Sequence, residues 1–322
     1  MTHPVQPKLI IHGGAGSSLQ GKGGLQAVRQ DLQAIVAATY AQLDAGASAV
    51  ATVAYGCRWL EDNPRFNAGT GAVLQADGQI RLSAALMDGV AQRFSGVINA
   101  ARVKNPIDLA IALQAASDRV LSDYGAADLA RELQLPLYDP VTTVRLREWL
   151  AERQGHFQRD MAGVVAEPEP TPSLDLLPGE PGRGTIGVVA FDQQGRIAVG
   201  TSTGGKGFER IGRVSDSAMP AGTYATAQAG VSCTGIGEDI INECLAARVV
   251  VRVTDGLSLA AAMNRSIQEA SEHQCDLGAI ALDATGAIAW GKTSDLLLAA
   301  YHNGTTIGDT LEAALGTVVG TA

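Results

Sequence analysis

The chain has 322 residues, of which 46% are hydrophobic and 18% are charged. This composition is typical of a globular protein with a substantial core and excludes an intrinsically disordered chain. The net charge of -9 and the absence of a long lysine- or arginine-rich cluster argue against a nucleic-acid-binding surface or an anionic-membrane surface. They favour a small-molecule partner.

Targeting segments and the use of cysteine indicate the cellular compartment in which a protein is found. No apolar run approaches the ~18 residues that a membrane-spanning helix requires, so no membrane association is expected. A secretory signal is not expected either, because the first residues show no basic region followed by an apolar block. The four cysteines have no CxxC spacing and are expected to be reduced thiols. Together these features predict a cytoplasmic protein.

The first part of the chain combines glycine-rich turns with helical periodicity. An apolar run ending at Ile11 leads into His12-Gly-Gly-Ala-Gly16, where the glycines indicate a sharp bend or close backbone packing. Apolar spacing predicts helices over 25–44 and about 50–60. A second glycine-containing turn follows at Asn67.

Three segments repeat a strand, turn and strand pattern, in which Asp-Gly or Asp-x-x-Gly separates two apolar runs. These predicted hairpins cover 73–82, 187–199 and 278–290. The apolar runs are nearly continuous, which predicts strands covered on both faces by helices or by another sheet.

Further helices are predicted on both sides of a proline-rich stretch. One opens at Asn105-Pro106, a cap residue followed by the proline favoured in a first turn, and continues through Val120. Two more are predicted at about 239–253 and 258–272.

The proline-rich stretch runs from about 155 to 184 and holds five of the twelve prolines, with no apolar periodicity. It predicts an exposed, mobile linker. Such linkers commonly join two domains, but the similarity of the hairpins on its two sides favours a single fold interrupted by a processing loop.

The linker ends at Gly184-Thr185, directly before a strand-like run. If the chain were cut there, Thr185 would have a free α-amine beside its own hydroxyl, which is a recognised way to activate an alcohol as a nucleophile. The junction is therefore a candidate active site. Thr203 ends the partner strand of the predicted hairpin, so that pairing can bring its hydroxyl near Thr185.

Three later segments carry candidate binding groups. The run 200–207 satisfies GxxxxGK, but Gly207 stands where a hydroxyl should bind magnesium, so nucleotide binding is not predicted. Arg213 and Asp216 suit the two charged ends of a zwitterion, although a solvated surface ion pair would have the same pattern. Thr234 and the glycine after it could donate hydrogen bonds to an oxyanion, or simply form a helix-entry loop.

Seven motifs follow one another in a characteristic order, and together they resemble the plant-type asparaginase and isoaspartyl peptidase family of N-terminal nucleophile hydrolases. The resemblance spans residues 8 to about 295. The motifs are His12-Gly-Gly-Ala-Gly, Phe66-Asn-Ala-Gly, Met87-Asp-Gly, Gly184-Thr-Ile-Gly-Val-Val-Ala, Thr201-Ser-Thr-Gly-Gly, Gly212-Arg-Val-x-Asp-Ser and Ser232-Cys-Thr-Gly-x-Gly-Glu.

The resemblance implies an α+β fold of the four-layer αββα sandwich type, whose precursor cuts itself before the threonine. Carried over, the single domain 1–322 would divide into an α subunit, 1–184, and a β subunit, 185–322. Two copies of each would form the mature enzyme, a dimer of αβ heterodimers. The implied activity is hydrolysis of the side-chain amide of β-aspartyl dipeptides and L-asparagine through a β-aspartyl-threonine ester.

The resemblance also implies residue roles. Thr185 would be nucleophile and base, and Thr203 an orienting hydroxyl. Thr234 and the Gly235 amide would form the oxyanion hole. The substrate α-carboxylate would bind Arg213 and the α-ammonium Asp216, with Gly237 in the same binding set and Asn67 in a supporting role. No catalytic cofactor is implied. A structural sodium ion would be held by the main-chain carbonyls of Leu60, Glu61, Asn63, Phe66, Ala68 and Thr70.

Two positions depart from the family pattern, and two other readings remain open. Ser83 stands where an acidic residue is usual, and Ile236 where threonine is frequent. One alternative is a glycosylasparagine-type threonine amidase, which should bring a signal peptide and disulfides. The other is a non-catalytic two-domain small-molecule binding protein.

Overall fold

The computed structural model describes residues 5–16, 19, 22–155 and 184–322. Apart from its two ends, the predicted linker at about 155–184 lies outside the described residues. Among those that are described, no helix is long and apolar enough to cross a membrane.

The described residues form eight α-helices and thirteen strands, which alternate along the chain as a mixed α and β fold. In chain order they are β1 (Lys8–Gly16), α1 (Gly24–Asp44), α2 (Ala49–Asp62), β2 (Leu82–Asp88), β3 (Arg93–Ala100), α3 (Pro106–Ala112), β4 (Val120–Ser122), α4 (Asp123–Glu132), α5 (Thr143–Gln154), β5 (Ile186–Phe191), β6 (Ile197–Thr203), β7 (Thr223–Ala225), β8 (Ala229–Gly235), α6 (Gly237–Glu243), α7 (Leu245–Thr254), α8 (Leu259–Glu272), β9 (Leu277–Asp283), β10 (Ile288–Lys292), β11 (Leu296–His302), β12 (Ile307–Asp309) and β13 (Val318–Thr321).

The strands form two sheets. The larger has the order β12-β11-β1-β5-β6-β2-β3-β4, and the smaller has the order β13-β10-β9-β8-β7. In the larger sheet, β5 pairs with β1 on one side and β6 pairs with β2 on the other. Strands from before and after the linker are therefore interleaved within one sheet, with β5 and β6 lying between β1 and β2.

Both faces of the larger sheet are covered, as β5 illustrates. Ile186, Val188 and Ala190 belong to a cluster with apolar residues of α1, α2 and α3, whereas Val189 and Phe191 belong to a second cluster with residues of β9 and β10. Successive side chains of a strand point to opposite faces, which explains the split. The prediction that these strands are buried on both faces is confirmed.

A third cluster lies on the other face of the smaller sheet. Apolar residues of β8 and β9 pack there against α6, α7 and α8. The three clusters thus lie in succession: one between helices α1–α3 and the larger sheet, one between the two sheets, and one between the smaller sheet and helices α6–α8.

The helices predicted over 25–44, 50–60 and 258–272 are confirmed as α1, α2 and α8, and two of the three hairpins are confirmed as β5–β6 and β9–β10. The prediction of a hairpin over 73–82 is wrong. A turn closes with a hydrogen bond from the Gln75 N–H to the Gln79 carbonyl. Leu74 and Ala76, however, bond to residues 208 and 209. Those bonds replace cross-strand pairing within the segment.

Two predicted helices are shorter than expected. The helix that opens at Pro106 ends at Ala112 and a short 3-10 turn, and Val120 instead lies in β4. Pairing with β3 draws that residue into the sheet, since Gly96 lies opposite it in parallel register.

The helix predicted at about 239–253 is two helices, because Cys244 adopts a left-handed conformation with φ 47° between them. The N–H groups of Ala246 and Ala247 donate to the carbonyls of Ala221 and Pro220 rather than along one continuous helix. Tertiary hydrogen bonding has therefore broken a helix that periodicity alone would continue.

Candidate active site

Thr185 lies at the head of β5 and is buried, with 5% of its surface exposed. The β5–β6 hairpin brings its hydroxyl within 3.2 Å of the Thr203 hydroxyl, to which it donates. Thr203 in turn donates to the Gly184 carbonyl oxygen at 3.3 Å and accepts a hydrogen bond from the Gly205 N–H at 3.1 Å. Three hydrogen bonds thus fix the orientation of the hydroxyl beside the candidate nucleophile.

The carbonyl group of Gly184 has a second donor. Asn67 Nδ2 lies 2.9 Å from the Gly184 oxygen and 2.6 Å from the Gly205 oxygen, while Asn67 Oδ1 accepts from the Val73 N–H at 3.0 Å. Gly184 has φ 151°, in the region that favours glycine. The carbonyl at the predicted cleavage point is therefore held between Asn67 and Thr203.

Thr234 is the penultimate residue of β8 and its side chain is buried, and its Oγ1 accepts a hydrogen bond from the Ala15 N–H at 3.1 Å. Because that bond uses an acceptor lone pair, the hydroxyl proton remains available for donation. The next residue, Gly235, has φ 128°, and an added Cβ would lie 2.5 Å from the Asp276 carbonyl oxygen. Only glycine fits there.

Arg213 and Asp216 converge on the first residue of α6. A Cβ added to Gly237 would lie 2.5 Å from Arg213 Nη2 and 2.9 Å from Asp216 Oδ1. The absence of a side chain at this position allows the cation and the anion to approach the same point. Both charged residues line one cavity with Thr185 and Thr203, and the same cavity is lined by Gly184, Gly235 and Gly237.

Asp216 is buried, and burial raises its pKa to about 7, with the nearby Arg213 opposing the rise. Its Oδ2 atom has no hydrogen-bond partner among the described residues. A buried carboxylate without partners is unstable relative to one that binds a cation. The position is therefore suited to a ligand ammonium group.

His12 links three strands beneath the candidate nucleophile. Its Nε2 atom lies 2.9 Å from the Ser232 hydroxyl, which lies 2.8 Å from the Thr201 hydroxyl. Burial lowers the pKa of His12 to about 3, with the Thr185 main chain opposing the decrease. The ring is thus neutral at physiological pH and cannot itself supply a positive charge.

The backbone irregularity predicted for the glycine-rich turn after Ile11 is present, because the register of β1 against β11 shifts between His12 and Ala15.

Comparisons with known proteins agree with this geometry. The sequence profile of the asparaginase family matches residues 5–312. The chain belongs to the asparaginase family. An isoaspartyl peptidase/L-asparaginase from a Nostoc species is 67% identical over 320 residues, covering 99% of each chain. The protein of the same name from a Synechocystis species is 65% identical over 98% of this chain and 94% of its own length. A plant-type L-asparaginase of Pyrococcus abyssi is 37% identical over 89% and 93%, respectively.

The family resemblance inferred from the sequence is therefore confirmed. These relatives do not favour the alternatives of a glycosylasparagine-type amidase or a binding protein.

Sequence reasoning assigned no role to Glu238, although this residue closes one of the seven motifs. Its two carboxylate oxygens accept from Arg213 Nε and Nη2, each at 3.0 Å. Burial opposes the ionisation of Glu238, but the hydrogen bonds and charge of Arg213, a main-chain hydrogen bond and the charge of Lys206 together lower its pKa. Such bidentate pairing holds a guanidinium in one orientation. Lys206 and Ser215 also line the cavity. Ser215 does not stand out by spacing, and the GxxxxGK run that contains Lys206 relates to nucleotide binding rather than to this site.

The structure shows what surrounds Ser83 and Ile236, the two positions that depart from the family pattern. Ser83 Oγ accepts from the Asn99 N–H at 3.2 Å, and Asn99 Nδ2 donates to the Arg213 carbonyl oxygen at 3.2 Å. Ser83 is thereby connected, through Asn99, to the main chain of Arg213. Ile236 occupies the N-cap position of α6 and has no side chain that can cap the helix, as a threonine could.

The loop that would hold sodium offers main-chain rather than side-chain donors. Among the described residues, no group of three or more His, Cys, Asp or Glu side chains could hold a metal ion. Main-chain oxygens crowd the loop instead. A Cβ added to Gly71 would lie 1.9 Å from the Phe66 oxygen, and one added to Gly69 would lie 2.4 Å from the Glu61 oxygen. Hard cations prefer oxygen donors of this kind, so the loop supplies the type of donor that a sodium ion requires.

Proposed function

We propose that the chain is an autocleaving amidohydrolase that releases L-aspartate from β-aspartyl dipeptides and L-asparagine. The observation that carries the proposal is the hydrogen-bonded pair Thr185 and Thr203 beside the Gly184 carbonyl, whose oxygen accepts two hydrogen bonds. The pair lies in one cavity with Arg213 and Asp216. A nucleophile, a polarised carbonyl and a receptor for a zwitterion therefore stand together.

In the first reaction, Thr185 Oγ1 attacks the Gly184 carbonyl carbon. The negative charge that develops on the carbonyl oxygen is stabilised by the donors that already contact it, Asn67 Nδ2 and Thr203 Oγ1. The C–N bond breaks as its nitrogen takes up the proton of the Thr185 hydroxyl, the acyl group remains on the Thr185 oxygen as an ester, and water hydrolyses the ester. The products are residues 1–184 and 185–322, with a free amine on Thr185.

In the second reaction that amine acts as the base. Its pKa of about 7.7 to 8 in unperturbed peptides leaves a substantial neutral fraction near physiological pH, so it can accept the Thr185 hydroxyl proton. The hydroxyl oxygen attacks the side-chain carbonyl of the substrate, and the Thr234 hydroxyl and Gly235 N–H stabilise the oxyanion. The amine product leaves with the proton, and water then hydrolyses the β-aspartyl ester to aspartate.

The proposed architecture is a four-layer αββα sandwich in one domain, with the mature enzyme a dimer of αβ heterodimers. The succession of three apolar clusters supports the four-layer arrangement. The interleaving in the larger sheet of strands from before and after the linker supports one domain and argues against a two-domain binding protein. We further propose a cytoplasmic location, in keeping with four free cysteines.

A sodium ion is part of the proposal in a structural role only. The main-chain oxygens of residues 60–70 would hold it, and its charge would fix the loop that carries Asn67. The ion contributes to no bond-making step. The ligand atoms would be the carbonyl oxygens of Leu60, Glu61, Asn63, Phe66, Ala68 and Thr70.

The preference of the enzyme for β-linked over α-linked aspartyl dipeptides tests the proposed function. We expect β-Asp-Leu and L-asparagine to be hydrolysed, and α-Asp-Leu to be hydrolysed at least about 100-fold less efficiently in kcat/KM. Arg213 and Asp216 would pair with the α-carboxylate and α-ammonium only when both are free, and unpaired buried groups cost several kcal/mol. Comparable kcat/KM on the α- and β-linked dipeptides would contradict this recognition.

Removal of the Asn67 side chain tests the first reaction separately. An Asn67→Ala chain should cut itself about 100-fold more slowly, the usual order for losing one oxyanion donor, as measured by the disappearance of the uncut chain on denaturing gels. Asn303, a half-buried residue of the β11–β12 turn whose side chain accepts from the N–H groups of residues 305 and 306, provides the control as Asn303→Ala. Equal cleavage rates in the two variants would remove Asn67 from the mechanism.

A further inference from the structure

Lys206 lines the same cavity as Thr185 and has no assigned role. Among the described residues its ammonium lies within 4 Å of one carboxylate, Glu238, at an N–O distance of 3.6 Å. That separation is longer than a hydrogen bond, and the Lys206 side chain is 38% exposed. The Glu238 carboxylate is meanwhile bound by Arg213 through two hydrogen bonds of 3.0 Å. Lys206 is thus a weakly paired cation beside the reaction centre.

The main chain next to Lys206 is tightly fixed. The preceding Gly205 has φ 89°, donates its N–H to Thr203 and accepts from Asn67. A Cβ on Gly205 would lie 2.0 Å from Glu209 Oε1, so the main chain also packs against a buried carboxyl. Lys206 therefore extends from a rigid support shared with the two donors to the Gly184 carbonyl.

The position of this support indicates which part of a substrate would meet the lysine. In the proposed function the charged ends of the aspartyl group lie at Arg213 and Asp216, which both approach Gly237. Gly184, which directly precedes Thr185, is held beside Gly205 by Asn67. Once Gly184 has been released by the cut, that space is open, and the leaving amine of a substrate has to occupy it.

We propose that Lys206 determines substrate specificity by binding the free α-carboxylate of the residue released from a β-aspartyl dipeptide. The proposal rests on the proposed function. A dipeptide carries this second carboxylate, whereas L-asparagine releases ammonia and has none. Glu238 keeps Arg213 in place while the Lys206 ammonium turns from Glu238 to the substrate. The preferred substrates are thus β-aspartyl dipeptides with an unblocked C-terminus.

The test compares kcat/KM for β-Asp-Leu, its C-terminal amide and L-asparagine. In the wild type and in Lys206→Arg, we expect the free acid to be preferred over the amide by about fivefold, the size of one partly exposed ion pair. In Lys206→Met the preference should disappear, and the ratio of β-Asp-Leu to L-asparagine efficiency should fall by the same factor. Arg131→Met, which removes an exposed charge on α4, should keep both wild-type ratios.

A second measurement needs no variant. The preference of the wild type for the free acid should decrease toward unity in about 1 M salt, because salt screens exposed ion pairs. An unchanged acid-to-amide ratio in Lys206→Met, or a salt-independent ratio in the wild type, would overturn the role of Lys206. If the wild type hydrolysed none of the three substrates, the proposed function would fall, and the Lys206 proposal with it.

Discussion

A Thr185→Ala chain should remain a single polypeptide of 322 residues and should hydrolyse neither β-Asp-Leu nor L-asparagine. The substitution removes the hydroxyl that attacks Gly184, so the cut does not occur and no terminal amine forms. Losing a nucleophile typically lowers kcat by about 10⁴-fold or more. Denaturing electrophoresis and an aspartate-release assay measure the two effects.

Thr185→Ser is the matched control for this experiment. Serine keeps a hydroxyl and, after cleavage, an α-amine, so this variant should yield two fragments and retain measurable activity. Edman sequencing of the smaller wild-type fragment should read Thr-Ile-Gly-Val. Two fragments from Thr185→Ala, or an intact and fully active wild-type chain, would rule out the proposed mechanism.

Replacement of Asp216 with asparagine should lower kcat/KM for both substrates by about 100- to 1,000-fold. Asparagine has nearly the same shape but no charge, so the α-ammonium of the substrate would be buried without its counterion, and such losses amount to about 3–5 kcal/mol. Self-cleavage should continue, since Asp216 does not contact the Gly184 carbonyl in the structure. A variant that cuts itself and retains wild-type kcat/KM would contradict ammonium binding at this residue.

The pKa of Asp216 adds a pH dependence that the asparagine variant should lack. Burial raises this pKa to about 7, so the carboxyl becomes protonated and loses its charge as pH falls below that value. The inhibition constant of the product L-aspartate should therefore rise about tenfold per unit of pH between about 7 and 5 in the wild type. Product inhibition is measured because, unlike turnover, it does not require the Thr185 amine to be neutral. Parallel pH profiles for the wild type and Asp216→Asn would contradict the assignment.

Several features of this protein were determined by local sequence. The helices α1, α2 and α8 follow from apolar periodicity, and the β5–β6 and β9–β10 hairpins follow from turn residues between apolar runs. The order of short motifs was enough to recognise the family, because every motif holds glycine, four of the seven also hold hydroxyl residues, and their spacing can be read without knowledge of the fold. The abrupt start of a strand at Thr185 marked the candidate nucleophile for the same reason.

Contacts between distant residues were decided only by tertiary structure. Asn67 reaches Gly184 across 117 positions, and Arg213 meets Glu238 across 25, because strand pairing and the start of α6 place them together. The break at Cys244 and the strand at Val120 likewise depend on hydrogen bonds to other elements, which outweigh local helical preference. Lys206 belongs to the GxxxxGK run, but that pattern concerns nucleotide binding and gives no sign that the lysine lies beside Thr185. Its place beside Thr185 comes from the rigid path of the main chain after β6.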